Sequence, residues 1–122
     1  DGAGIQDAKA EEMITEEDVD LALGYLRDSA KTAAIAKSQS RMLKEYLKVV
    51  EAEQKRLHPD LSNAAARDAA RASPEYRTAL DALSAAVEKD NEFSMLRAAA
   101  ESRVEAWRTF EATRRAESRG YR

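Results

Sequence analysis

The chain has no cysteine. Disulfides, thiolate metal sites and a cysteine nucleophile are therefore excluded, and the absence fits a reducing compartment. It has one histidine, His58, so no second imidazole or thiolate can complete a transition-metal site. Lying just before Pro59, His58 reads as a helix-end residue rather than a ligand or base. There is no glycine-rich phosphate loop, nucleophile elbow or histidine-based triad. Two prolines, four glycines and 6% aromatics favour helix and disfavour a β fold. No apolar run approaches the roughly 20 residues of a membrane span. The N-terminus is acidic and lacks an apolar h-region, which argues against a signal peptide. These absences point to a non-enzymatic protein with no metal, cofactor or membrane association.

What is present is charge and alanine. Charged residues make up 35% of 122 residues, and a length of this order implies one domain. Alanine favours helix but buries little area, so its core needs close helix packing or help from another subunit. The net charge of −3 conceals a pattern. Residues 1–28 carry nine acids and two bases, and residues 29–60 carry four acids and seven bases. Residues 61–96 carry six acids and four bases, and residues 97–122 carry four acids and seven bases.

Residues 1–12 hold two glycines and no apolar periodicity. They read as an upstream extension or a non-native leader, poorly ordered or loosely helical, ahead of a single domain over 13–122. Thr15-Glu16-Glu17-Asp18 resembles a capping box with Asp in the place of the usual Glu or Gln. A heptad then predicts a helix over about 16–57. One row is Val19, Leu26, Ala33, Ser40, Leu47 and Gln54; the other is Ala22, Ser29, Ala36, Leu43, Val50 and Leu57. More than five heptads in register indicate a long packed helix. Leu21, Tyr25, Ile35, Met42, Tyr46 and Val49 widen its apolar stripe beyond what one partner helix covers, which favours self-association.

His58-Pro59 ends this helix. Asp60 or Ser62 starts a short one over about 62–72. Ser73 as N-cap and Pro74 in the first turn open a second long helix over about 74–118, with a stop expected at Gly120. The fold class is all-α, an antiparallel long-helix hairpin with a short connecting helix. The second long helix carries two apolar sets at 3–4 spacing. Tyr76, Leu80, Leu83 and Val87 form one; Phe93, Leu96, Ala100, Val104, Trp107 and Phe110 form the other. The step between them rotates the face by roughly 120°. Either the helix breaks near Lys89-Asp90-Asn91, or one helix meets different partners along its length. The lack of a strong breaker favours continuity.

Two basic groups are candidate nucleic-acid contacts. Lys37, Arg41, Lys44 and Lys48, together with Arg27, Lys31 and Lys55, share one side of the first helix, interrupted by Asp20, Glu45 and Glu51, and can follow a phosphate backbone. Arg114 and Arg115 belong to a C-terminal arginine cluster interleaved with Trp107, Phe110 and Tyr121, a combination suited to single strands. The competing reading of both groups is solvation and ion pairing, with the C-terminal arginines paired to Glu16, Glu17, Asp18 and Asp20 across the hairpin. Ile35, Met42, Tyr46, Val49, Phe93, Trp107 and Phe110 are the candidate oligomer interface. Trp107, at core spacing with Val104 and Phe110, is expected to be buried.

The segments ALGYLRDSA, LKEYLKVVEAEQ, SPEYRTALDAL and RVEAWRTFEATRRAE resemble a group of small, mostly helical proteins encoded by phages and prophages. The likeness covers about residues 14–119, and its most specific piece is Val104-Glu105-Ala106-Trp107-Arg108-Thr109. In helix order the chain is also similar to the recombination-mediator family of T-even phages, which is helical, oligomeric and binds single-stranded DNA. That similarity carries over no binding residue. What it implies is a homo-oligomeric accessory protein of recombination or replication, in the cytoplasm of a bacterial host, with single-stranded DNA and a phage or host protein as partners. The alternative is a structural or protein-interaction module of phage origin that binds no nucleic acid.

Overall fold

A computed structural model describes residues 14–120. The extension expected over residues 1–12 lies outside them, as do Tyr121 and Arg122. Three helices follow in order: α1, Glu16–Lys55; α2, Asn63–Arg71; and α3, Pro74–Gly120. The described residues contain no strand, and the two long helices pack closely against each other. Contacts divide the described residues into two compact units, 14–30 with 95–120 (unit 1) and Lys31–Ser94 (unit 2). Each takes a stretch of both long helices.

The helix ends follow local chemistry. The Thr15 N–H donates to Asp18 Oδ2 at 3.0 Å and the Asp18 N–H to Thr15 Oγ1 at 3.1 Å. This is the reciprocal capping box, closed by an aspartate. At the other end of α1, Leu57 N–H bonds Gln54 O and His58 N–H bonds Lys55 O. These three-residue steps tighten the last turn, so the helix stops two residues before the expected 57. Leu57, the last member of the expected seam, is therefore 67% exposed.

Ser62, not Asp60, caps α2, its Oγ accepting from the Ala65 N–H at 3.2 Å. Ser73 joins the next two elements. Its Oγ donates to Ala70 O at 2.6 Å and accepts from the Tyr76 N–H at 3.2 Å. The hydroxyl thus satisfies one orphan carbonyl of α2 and one orphan donor of α3.

Burial along α1 follows the expected heptad. From Val19 through Ala22, Leu26, Ser29, Ala33, Ala36, Ser40, Leu43, Leu47 and Val50 to Gln54, every seam position is buried or half-buried. Helix α3 differs from its sequence reading. Its covered positions between Tyr76 and Glu111 are Tyr76, Ala79, Leu83, Ala86, Asp90, Phe93, Arg97, Ala100, Val104, Trp107 and Glu111. That is one unbroken alternation of three- and four-residue steps. The helix is continuous through Lys89-Asp90-Asn91, and there is no change of face. Leu80, Val87, Leu96 and Phe110, assigned to two separate faces, lie outside the seam and are exposed. A partner seam with a strict seven-residue repeat requires the same repeat of α3; Asp90 and Arg97 occupy two of its positions.

In unit 1 the core is Val19, Ala22, Ala100 and Val104, with Ile14, Tyr25, Leu26 and Trp107 packed on it. Low numbers on α1 meet high numbers on α3, so the pairing there is antiparallel. In unit 2, Ala36, Val50, Ala66, Ala70 and Ala79 are buried, and Arg71 Nε of α2 bonds Glu51 Oε1 of α1 at 2.6 Å. No large side chain is fully buried among the described residues. The interior is built from alanine and valine, as the composition implied.

Candidate functional site

Within unit 2, α1 sorts its surface into three strips. The seam faces α3. On one side of it Ile35, Met42, Tyr46 and Val49 are exposed. Three of these recur at steps of seven, so they form a straight row beside the seam rather than part of it. On the other side Lys37, Arg41, Lys44 and Lys48 are all exposed. Among the described residues, Lys37, Arg41 and Lys44 form no ion pair, whereas Lys48 Nζ sits 3.1 Å from Glu45 Oε1. Glu51 stands on the same side as this basic row, but Arg71 holds its carboxylate. The same bond raises the Arg71 pKa above its ordinary value. Glu45, also on this side, is taken up by Lys48, so Lys37, Arg41 and Lys44 are the cations of the row that carry no acid partner among the described residues.

The apolar strip borders an open cleft of about 470 Å³. Its walls are Tyr46, Val50, Glu53 and Gln54 of α1 and Pro74, Thr78, Ala79 and Ala82 of α3. Alanines at 79 and 82 leave this space because neither reaches across to α1. A smaller cleft of about 350 Å³ lies at the turn, against Lys55, Arg56, His58, Pro59 and Leu61. His58 is half-buried there, past the last residue of α1, in keeping with a helix-end role.

The other candidates lie apart from this site. Phe93 is a half-buried seam residue of unit 2. In unit 1, Trp107 is half-buried against the core, with its ring 5.9 Å from that of Phe110, which is itself 50% exposed. Of the seven candidate interface residues, five are thus free on the surface and two face inward. Arg114 and Arg115 are exposed in unit 1, where Arg114 Nη2 pairs with Glu111 Oε2 at 3.0 Å and Arg115 Nε donates to Glu111 O at 3.4 Å. Arg108 likewise pairs with Glu105 at 3.0 Å. The described C-terminal arginines make no ion pair with Glu16, Glu17, Asp18 or Asp20 within 4 Å. Arg103 nonetheless helps to lower the Asp18 pKa, as the smallest of its causes.

The sequence reading counted Arg97 in the C-terminal arginine cluster and missed its place in the seam. Its Nη1 donates to Leu26 O and to Ser29 Oγ, both at 2.8 Å. Ser29, only 7% exposed, is the polar partner that this cation requires in the seam. Counting back seven residues from Val104 would have found it. No three His, Asp or Glu side chains converge among the described residues, and none of the helices is long and apolar enough to cross a membrane. Comparison with protein families, with characterised proteins and with solved structures produced no match.

Proposed function

We propose that this chain is a non-enzymatic assembly module. It associates through the apolar strip of α1 and offers the basic strip to single-stranded nucleic acid. The observation that carries this reading is the sorting of α1 in unit 2 into an apolar side and a basic side, with Lys37, Arg41 and Lys44 unpaired among the described residues. Solvated helix faces ordinarily mix signs and pair acids with nearby bases; of the two acids on this side in unit 2, Glu45 pairs with Lys48 and Glu51 is held by Arg71 of α2, which leaves Lys37, Arg41 and Lys44 without an acid partner among the described residues. A phage origin and a role in recombination or replication belong to the same proposal and rest on the resembling segments described above.

The test is fluorescence anisotropy with a labelled single strand. Neutralising four phosphates predicts a salt slope of about −3, so affinity should fall about 50-fold between about 50 and 200 mM salt. Replacing Lys37, Arg41, Lys44 and Lys48 together by Glu should abolish binding while the circular dichroism spectrum is kept. Unchanged affinity in that variant would remove the basic strip from the reading.

A second reading has its own support. The exposed row Ile35, Met42 and Val49 suits a module that binds protein only. Complete absence of strand binding at low salt would favour it.

A further inference from the structure

The apolar strip of unit 2 has a shape that selects its occupant. Ile35, Met42 and Val49 are spaced seven apart, with Met42 in the middle and no charged side chain on the row. Turned end for end about Met42, the row falls on itself: Met42 meets Met42, and Ile35 meets Val49. The same turn brings Lys31 opposite Glu53, since both lie eleven residues from Met42 on either side. Neither makes an ion pair within the chain among the described residues. Glu53 also stands on the wall of the 470 Å³ cleft, where an incoming lysine has room.

The area agrees. Ile35, Met42, Tyr46 and Val49 are 47%, 62%, 52% and 49% exposed, which amounts to roughly 400 Å² per copy, within the range of the largest apolar patch on a monomer, which is often functional. Homodimer interfaces are about 65% apolar, so two such patches face to face imply a contact of roughly 1,200 Å². That is the lower edge of the stable class.

We infer that a second copy of this chain docks antiparallel on α1, with a two-fold axis passing beside Met42 and Lys31 of each copy against Glu53 of the other. The contact is isologous, so it closes at two copies and cannot propagate into a fibre. It leaves the basic strip of each copy free. This inference rests on the association half of the reading above and names its partner.

Because the chain contains no cysteine, single introduced thiols report the geometry without background. Met42→Cys should be joined to itself by a short bis-maleimide at micromolar protein. Ile35→Cys alone and Val49→Cys alone should not crosslink, whereas an equal mixture of the two should. In sedimentation, Lys31→Glu should weaken the dimer about tenfold by placing like charges together, and adding Glu53→Lys to it should restore the affinity. A dimer in sedimentation whose Met42→Cys variant does not crosslink would overturn the two-fold at Met42 while leaving association standing. A wild-type monomer at that concentration would overturn both. Because Lys31 and Glu53 are exposed, the charge variants keep the test open if a thiol variant fails to fold.

Discussion

Asp18 shows how much one side chain can be asked to report. Its carboxyl pKa lies below the ordinary value of 3.8, first because it accepts the Thr15 backbone N–H and then because of the Thr15 hydroxyl, with Arg103 adding the least. A carboxylate lowered by folding contributes stability that is present above its unfolded pKa and is lost as pH falls through the folded one. The start of α1 should therefore loosen as pH drops below about 3.8. Comparing thermal midpoints of wild type and Asp18→Asn from about pH 6 to about pH 2.5 isolates the effect from the other carboxylates. The wild type should be the more stable at the upper end, and the two should converge at the lower. A constant gap across that range would show that the cap does not depend on the charge. This box was legible in the sequence because capping is local: three residues of spacing contain all of it. The cross-hairpin ion pairs read for the arginines were not, because Arg108 and Arg114 found nearer acids, Glu105 and Glu111, on their own helix.

The two long helices differ in how plainly they can be read. Helix α1 announces its seam because ten of eleven positions from Val19 to Val50 and beyond are apolar or small, and only Gln54 breaks the pattern. Helix α3 hides the same repeat, since Asp90, Arg97 and Glu111 stand in it while Leu80, Val87, Leu96 and Phe110 stand outside. Apolar residues were the signal followed, and in α3 they mark the surface as often as the seam. Arg97 is the clearest cost of that signal and has a use within the pairing. A seam of alanines and serines has few knobs, so neighbouring alignments differ little in packing. The bonds from Arg97 to Leu26 O and Ser29 Oγ exist in one alignment only, and a polar seam residue can specify register in this way. Replacing it by leucine gives up two charge-assisted bonds of about 1.5–3 kcal/mol each. It gains about 1.5–3 kcal/mol from burial and relieves the desolvation of the cation. Arg97→Leu should thus shift overall stability by only about 1 kcal/mol in urea while loosening alignment. Spin labels at the exposed positions 20 and 101 would then show a second distance, displaced by about one heptad or roughly 10 Å. A single unshifted distance would show that the register is set elsewhere.

At the scale of the molecule, the question is what covers thirteen exposed large apolar side chains when no large one is fully buried among the described residues. A compact chain of this length ordinarily buries about two-thirds of its unfolded surface, whereas this one fills its interior with alanine and valine. Thin cores of this kind supply little hydrophobic free energy, because each alanine contributes few methyl contacts. In the proposed dimer, stability borrowed from association would become part of the fold. Binding that occurs only in the folded state raises stability by mass action, so the melting temperature must depend on protein concentration. For two copies of a chain this long, a tenfold rise in concentration is worth about 1.4 kcal/mol against an unfolding entropy near 0.5 kcal/mol/K, a shift of about 3 °C. Wild-type protein should show this slope across the micromolar range. Met42→Lys, which places a charge at the centre of the apolar row, should melt at a lower temperature that no longer moves with dilution. A midpoint independent of concentration in the wild type would mean that the alanine seam alone holds the helices together. The exposed row would then be left to a partner of different sequence.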